Sequence, residues 1–234
     1  MNKLLTCSLF VAVATAGNLF SQVTIDNFNE YSTTGELQAV WNSFGGAASA
    51  GAAVLAPGEG VGGSNAALYY LDWSAGNNAN MRMATVPSAV QDLSAATSVE
   101  VTLYLVTRDG YDAPASDTQL RLAIQGGTSS SIWQTTSAYA VDLNSASYTT
   151  ISFNLNTTEM ERVDGSGSLS DTLAAITSIR LRFENDQQSN VRQDVYVDSI
   201  SAVMVPEPGE YAGMAGLGTV LLVAFLRWRG RRQR

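Results

Sequence analysis

The sequence predicts an all-β fold, a β-sandwich of the jelly-roll kind, set between an N-terminal signal peptide and a single C-terminal transmembrane helix. Three observations carry this. Apolar and polar residues alternate in short runs through the middle of the chain, the pattern of half-buried strands. Clusters of Gly, Asp, Asn and Ser separate the runs, as turns do. Only Asp171–Thr177 could make a helical turn. Nine or so strands without helices bury their apolar faces as two packed sheets.

At the N-terminus, Met1-Asn2-Lys3 is a short positive segment and Leu4 to Ala16 is apolar. Small-residue cleavage sites follow at Ala12-Val13-Ala14, Ala14-Thr15-Ala16 and, later, Ser21-Gln22. Residues 1–22 therefore read as a secretory signal peptide, too short for a membrane span. The single cysteine, Cys7, lies inside it. Leu4-Leu5-Thr6 is a poor lipoprotein box and comes too early. The exported chain then has no disulfide and no thiol chemistry.

The domain is read as residues 23–203. Its strands are Val23–Phe28, a short one at Ala52–Ala56 inside the Gly- and Ala-rich stretch Gly45–Gly63, then Ala66–Leu71, Asn80–Val86 and Ser98–Thr107. Thr118–Gln125, Ala138–Leu143, Tyr148–Leu155, Ser178–Glu184 and Asp194–Val203 complete the set. Turns fall at Asp109-Gly110, Gly126-Gly127 and Asp164-Gly165-Ser166-Gly167.

Parity within four strands separates two faces, because successive side chains of a strand point opposite ways. Val99, Val101, Leu103 and Leu105 oppose Glu100, Thr102 and Tyr104. Leu120, Leu122 and Ile124 oppose Gln119, Arg121 and Ala123. Ile151, Phe153 and Leu155 oppose Ser152 and Asn154, and Ile179, Leu181 and Phe183 oppose Arg180, Arg182 and Glu184. If the four share one sheet, its outer face carries Tyr104, Arg121, Asn154, Arg180 and Arg182. An aromatic ring beside guanidinium and amide groups suits sugars: the ring packs on C–H faces and the polar groups bond hydroxyls. An ordinary solvated face laced with ion pairs has the same composition. Trp73 opens the polar loop Ser74–Asn80 and, with Trp133, is a further candidate sugar platform. Trp41, beside Val40 and Phe44, belongs to the core.

Charge narrows the partners. Lys3 and the five tail arginines lie outside the domain, leaving seven arginines against nineteen acids and no lysine, a net charge of about −12. Nucleic acid and anionic lipid are thereby disfavoured. The chain has no histidine, which removes Ser-His-Asp and Cys-His nucleophiles and histidine-bound zinc or iron. Two carboxylates would suffice for glycoside hydrolysis, at a separation of about 5–10 Å. Glu159 with Glu161, and Asp109, Asp112 and Asp117, are the acid groups available. They lie on loops and read more naturally as solvated or cation-binding clusters.

The C-terminal residues 204–234 form a separate unit. Val205-Pro206-Glu207-Pro208 is extended by its prolines. Tyr211 to Leu226 is sixteen uncharged residues, near the short end of the length that spans a bilayer. Arg227, Arg229, Arg231, Arg232 and Arg234 follow without an acid, which keeps that end cytoplasmic. This tripartite tail resembles the PEP-CTERM sorting signal of Gram-negative bacteria. The resemblance implies export through the secretion machinery, a transient stay in the inner membrane and cleavage by an exosortase-type enzyme. It also implies release to the cell surface or an exopolysaccharide, biofilm-type matrix. The alternative is a permanent membrane anchor.

A second resemblance covers the domain. Ile25-Asp26-Asn27-Phe28-Asn29-Glu30 looks like the opening of carbohydrate-binding-module-like jelly rolls, and Val195-Tyr196-Val197-Asp198-Ser199-Ile200 like their last strand. Gly62-Gly63-Ser64-Asn65-Ala66-Ala67-Leu68-Tyr69-Tyr70 resembles their glycine loop and following strand, and Ser147–Phe153 their mid-domain strand. In such modules the chain ends often hold a structural calcium. The resemblance places that ion among Asp26, Asn29, Glu30, Asn65 and Asp198, with Asn29 standing where an acid is usual. The expected molecule is an exported, non-catalytic matrix protein that binds extracellular polysaccharide. A purely structural or adhesive matrix protein is the alternative, and a two-carboxylate glycosidase the third reading.

Overall fold

The computed structural model describes residues 21–47, 53–141 and 147–205. In chain order the elements are β1 (Ser21–Asp26), α1 (Thr34–Val40), β2 (Trp41–Phe44), β3 (Val54–Ala56), β4 (Ala66–Asp72), β5 (Asn78–Met83), β6 (Ala96–Thr107) and β7 (Thr118–Gly126). Then follow β8 (Ser131–Thr135), β9 (Tyr139–Val141), β10 (Thr149–Asn154), β11 (Met160–Asp164), α2 (Leu169–Leu173), β12 (Ile176–Glu184) and β13 (Arg192–Met204). The first sheet runs β10-β6-β13-β4-β3, with β1 also on β13. The second runs β11-β8-β7-β12-β5-β2, with β9 also on β7. The two antiparallel sheets form the sandwich the alternation predicts.

Core placement follows parity. Val99, Val101, Leu103 and Leu105 of β6, Leu120, Leu122 and Ile124 of β7, Ile151 and Phe153 of β10, and Ile179, Leu181 and Phe183 of β12 are all buried between the sheets. Burying such a side chain contributes about 1.5–3 kcal/mol relative to leaving it exposed.

One expectation from the sequence fails. The four patterned strands do not share a sheet. β6 pairs with β10 in the first sheet, while β7 pairs with β12 in the second. Parity says which residues point the same way along one strand. Which strands lie side by side is set by hydrogen-bonded pairing across long sequence distances. Tyr104 and Asn154 therefore stand on one outer surface of the sandwich, and Arg121, Arg180 and Arg182 on the other.

Elements the sequence reading missed frame the edges. α1 starts at a reciprocal capping box: the Thr33 hydroxyl accepts from the Glu36 N–H, and the Glu36 carboxylate accepts from the Thr33 N–H. β2, β8 and β11 are short strands of the second sheet. The helical turn expected at Asp171–Thr177 is α2, two residues earlier at its start and capped by Ser168 and Asp171. Among the described residues no helix is long and apolar enough to cross a membrane. The signal peptide apart from Ser21 and Gln22, the motif residues Pro206, Glu207 and Pro208, the helix at 211–226 and the five tail arginines lie outside the described residues. Val205 is described, and its N–H donates to the Ala95 carbonyl.

Candidate functional site

The long strand β13 lies between β6 and β4, so its outward residues sit at the middle of the first sheet. Tyr196 is directly opposite Tyr104 of β6 and Leu68 of β4. Tyr148, just before β10, adds a third ring. The Tyr104 and Tyr196 rings are parallel within 7°, with centroids 4.6 Å apart. Rings lying flat side by side on a sheet could not approach so closely, so the two stand upright on it. Tyr148 meets Tyr104 edge-on, at 4.7 Å and 87°. Its hydroxyl donates to the Glu59 carbonyl at 2.7 Å. With strands about 4.8 Å apart, the row from Leu68 to Tyr148 is about 14 Å long.

Charged neighbours flank this row. Asp194 is opposite Tyr70, and the Arg108 guanidinium lies 4.2 Å from the centre of the Tyr70 ring. Arg108 Nε donates to Asp194 Oδ1 at 2.8 Å, which fixes the guanidinium over the ring. Further along, Arg192 pairs with Asp72 at 2.9 Å, donates to the Tyr111 hydroxyl at 2.7 Å and covers the Tyr111 ring at 4.6 Å. Burial, then the adjacent Tyr196 phenol, pushes the Tyr104 hydroxyl up to about 12. Burial raises Tyr148 and Tyr196 as well. All three phenols stay protonated in ordinary conditions; the Tyr148 hydroxyl already donates to the Glu59 carbonyl, and each phenol oxygen can still accept. Tyr104 is thus packed between two rings, stacked on Tyr196 and perpendicular to Tyr148. The row offers ring edges and hydroxyls upward, rather than the flat face the sequence reading expected of Tyr104.

The other predicted platform residues are dispersed. Trp73 is completely buried, and its indole N–H donates to Gln193 Oε1 at 2.6 Å. The expectation of an exposed Trp73 is corrected: the polar loop after it turns outward, while the indole points into the core. Trp133, on β8, is half-buried and packs against the core. Trp41 is fully buried, as expected. Arg121 pairs with Glu184 at 3.0 Å and donates to the Thr135 and Thr136 carbonyls; Arg182 lies 2.7 Å from Glu184. Arg182 and Glu184 border a cleft of about 540 Å³ with Asn77, Asn185, Asp186 and Asp117. Among the described residues no aromatic ring lines it. Asn154 donates to both oxygens of Glu159.

The five calcium candidates do not form an oxygen cage. Asp26 Oδ1 accepts from the Phe28 N–H at 2.8 Å, and Oδ2 accepts from the Tyr31 hydroxyl at 2.6 Å and the Trp41 indole at 2.8 Å. Asn29 Oδ1 accepts from the Asn65 N–H, and the Asn65 amide donates to the Phe28 and Tyr31 carbonyls. Asp198 is the extra residue of a β-bulge between Val197 and Ser199. The bulge turns it to the glycine loop, where Oδ1 accepts from the Val61 N–H and the Ser64 hydroxyl at 2.8 Å. A Cβ on Gly60 would come within 2.6 Å of that same oxygen, so only glycine fits there. Glu30 is exposed. Calcium requires six to eight oxygens directed at one point. Here N–H and O–H donors occupy both Asp26 oxygens, Asn29 Oδ1 and Asp198 Oδ1, and among the described residues no group of three acidic, histidine or cysteine side chains could hold a metal. The residues present do not fit the ion.

No protein-family model and no curated protein matches the sequence. Solved structures do match its fold. The solution structure of CtCBM11 superposes with a TM-score of 0.52 at 16% identity, covering 82% of this chain and 99% of that one. The family 11 carbohydrate-binding module from Clostridium thermocellum, in complex with a β-1,3-1,4-mixed-linked tetrasaccharide, gives a TM-score of 0.50 at 15% identity, covering 80% and 97%. The domain thus has a carbohydrate-binding-module-like fold.

The sequence reading found Tyr104 but missed Tyr148, Tyr196, Tyr70, Arg108 and Asp194. The outward parity of Tyr196 between Val195 and Val197 was legible. Its place opposite Tyr104 was not.

Proposed function

We propose that this is an exported surface or matrix protein that binds polysaccharide without chemically altering it. The tyrosine row Tyr148–Tyr104–Tyr196, with Tyr70, Arg108 and Asp194 beside it, is the binding face. The observation that carries this reading is that row: protonated phenols across neighbouring strands, close to an arginine–aspartate pair, on the open face of a sheet. Phenol hydroxyls, the guanidinium and the carboxylate match the alternating donors and acceptors of a glycan. The ring edges supply apolar contact. The fold likeness supports the class of ligand, and the PEP-CTERM-like tail supports the destination. In this reading an exosortase-type enzyme removes the arginine cluster, and the mass of the exported protein would lack it.

The test is a glycan-binding panel on the purified full chain, beginning with β-1,3-1,4-linked glucan oligosaccharides. Tyr104→Ala and Tyr148→Ala should each lower affinity at least tenfold with circular dichroism unchanged. Folded variants that bind like the parent would move the function off this face. One observation favours a second reading: Tyr104 packs against both Tyr196 and Tyr148, as in a cross-strand ladder that only stiffens the sheet. A structural matrix protein would then bind nothing on the panel.

A further inference from the structure

The opposite outer surface of the sandwich carries most of the domain's positive charge. On β2, β5, β12 and β7 the outward residues include Arg82, Arg121, Arg180 and Arg182, four of the domain's seven arginines, and one acid, Glu184. Glu184 serves Arg121 and Arg182. Arg82 and Arg180 sit directly opposite each other on paired strands. Among the described residues neither has a carboxylate at ion-pair distance. Arg82 Nε donates to Asn42 Oδ1 at 3.0 Å, and Arg180 Nη2 to Gln125 Oε1 at 2.6 Å. Both are neutral partners. Arg180 Nε is buried and has no hydrogen-bond partner. Both guanidiniums face the exposed Phe44 ring, at 5.4 Å and 5.6 Å from its centre. Burial and the Arg82 charge pull the Arg180 guanidinium below its ordinary value.

Like charges directly opposite on neighbouring strands destabilise a sheet. In a domain with nineteen acids the simple relief would be an acid at either position. Arg82 and Arg180 stand there instead, each bonded to a neutral amide and facing the Phe44 ring, with guanidinium donors left over.

We propose that Arg82 and Arg180, with Phe44, form an oxyanion site that takes the carboxylate or sulfate group of an acidic polysaccharide. Guanidinium groups bind such oxyanions with paired, charge-assisted hydrogen bonds. Phe44 gives the sugar ring an apolar contact between them. That the anion is carried on a glycan rests on the proposed function; the anion site itself does not. The net charge of the rest of the domain repels a polyanion at long range. At physiological salt this repulsion is screened beyond about 8 Å while the direct contacts persist. Binding should therefore weaken little with added salt, unlike that of a basic nucleic-acid-binding surface.

The experiment is calorimetry on the full chain with four probes: a uronic-acid oligosaccharide, a sulfated oligosaccharide, a neutral glucan oligosaccharide and a DNA oligonucleotide. The proteins are the parent, Arg82→Gln with Arg180→Gln, and Tyr104→Ala. The parent should bind at least one acidic oligosaccharide, and the uronic and sulfated arms tell which oxyanion is preferred. The double arginine variant should lose that affinity tenfold or more and keep any neutral-glycan binding. Its melting temperature should stay level or rise, because the like-charge pair is gone. Tyr104→Ala should do the reverse on the two glycan types. Two single variants, Arg82→Gln and Arg180→Gln, carry the same test if the double variant does not fold. The proposal is overturned if the parent binds no acidic oligosaccharide, if the arginine variants bind it unchanged, or if DNA binds as tightly. A fall in melting temperature with unchanged binding would make the pair structural. Failure of Tyr104→Ala alone would count against the tyrosine face and leave the arginine site standing.

Discussion

Replacing Asp26 with alanine tests the interpretation of the N-terminal cluster. Asp26 receives three donors, from the Phe28 backbone, the Tyr31 hydroxyl and the Trp41 indole. Trp41 is completely buried, and its ring packs against Phe28 at 5.9 Å. Phe28 itself holds a positive φ of 59°, a conformation an L-residue keeps only when its surroundings impose it. Hydrogen bonds to a charged acceptor contribute about 1.5–3 kcal/mol each. After Asp26→Ala the Trp41 indole stays buried without an acceptor. The Phe28 N–H and Tyr31 hydroxyl regain some water. The expected loss is about 3–5 kcal/mol. For a domain of this size each kcal/mol moves the midpoint by about 2–4 °C, so the fall should be about 10 °C. Thermal and urea melts of parent and variant measure it, the urea slope being unchanged if the unfolded state is the same. The loss should be identical with calcium and with a chelator, and the chelator should leave the parent's midpoint where it was. A loss below about 1 kcal/mol, or one that appears only when calcium is present, would refute this account of Asp26.

Two further outcomes are expected. Trp73→Phe removes the donor to Gln193 from the core and should cost about 1–2 kcal/mol. Glycan affinity should not change, because the indole never reaches the surface. The tyrosine row makes stability alkali-sensitive: Tyr104 titrates near 12 in the folded chain and near 10 unfolded, so the unfolded state loses its proton first. The stabilisation is complete below pH 10 and is lost as pH rises toward 12. Ultraviolet titration of phenolate together with urea melts should show a falling stability over that window; a flat profile would contradict the burial of the row.

Several features were legible before any pairing was known. The period-2 alternation of β6, β7, β10 and β12 identified both the strands and the residues that face the core. A strand's faces depend only on its own backbone, so parity survives whatever the neighbours are. The Thr33…Glu36 capping box marked α1 in the sequence and went unread. The strands β2, β8 and β11 gave weaker signals. β11 buries only Met160 among Met160–Asp164, since an edge strand needs little apolar surface. The count of charges and the absence of histidine came directly from composition.

Other features had no local signature. Whether Trp73 faced its polar loop or the core depended on Gln193 and Thr118, whose side chains are bonded to each other from different sheets. The meeting of Tyr104 with Tyr196, and of Arg82 with Arg180, depended on register between strands roughly a hundred residues apart. Asp198 was recognisable as an acid near the chain's end, but the bulge that aims it at Gly60 exists only in the β13–β6 ladder. Sequence determined what each strand would hide and what it would show. Tertiary structure decided which shown residues became neighbours, because hydrogen-bonded pairing, not chain proximity, brings their side chains within reach.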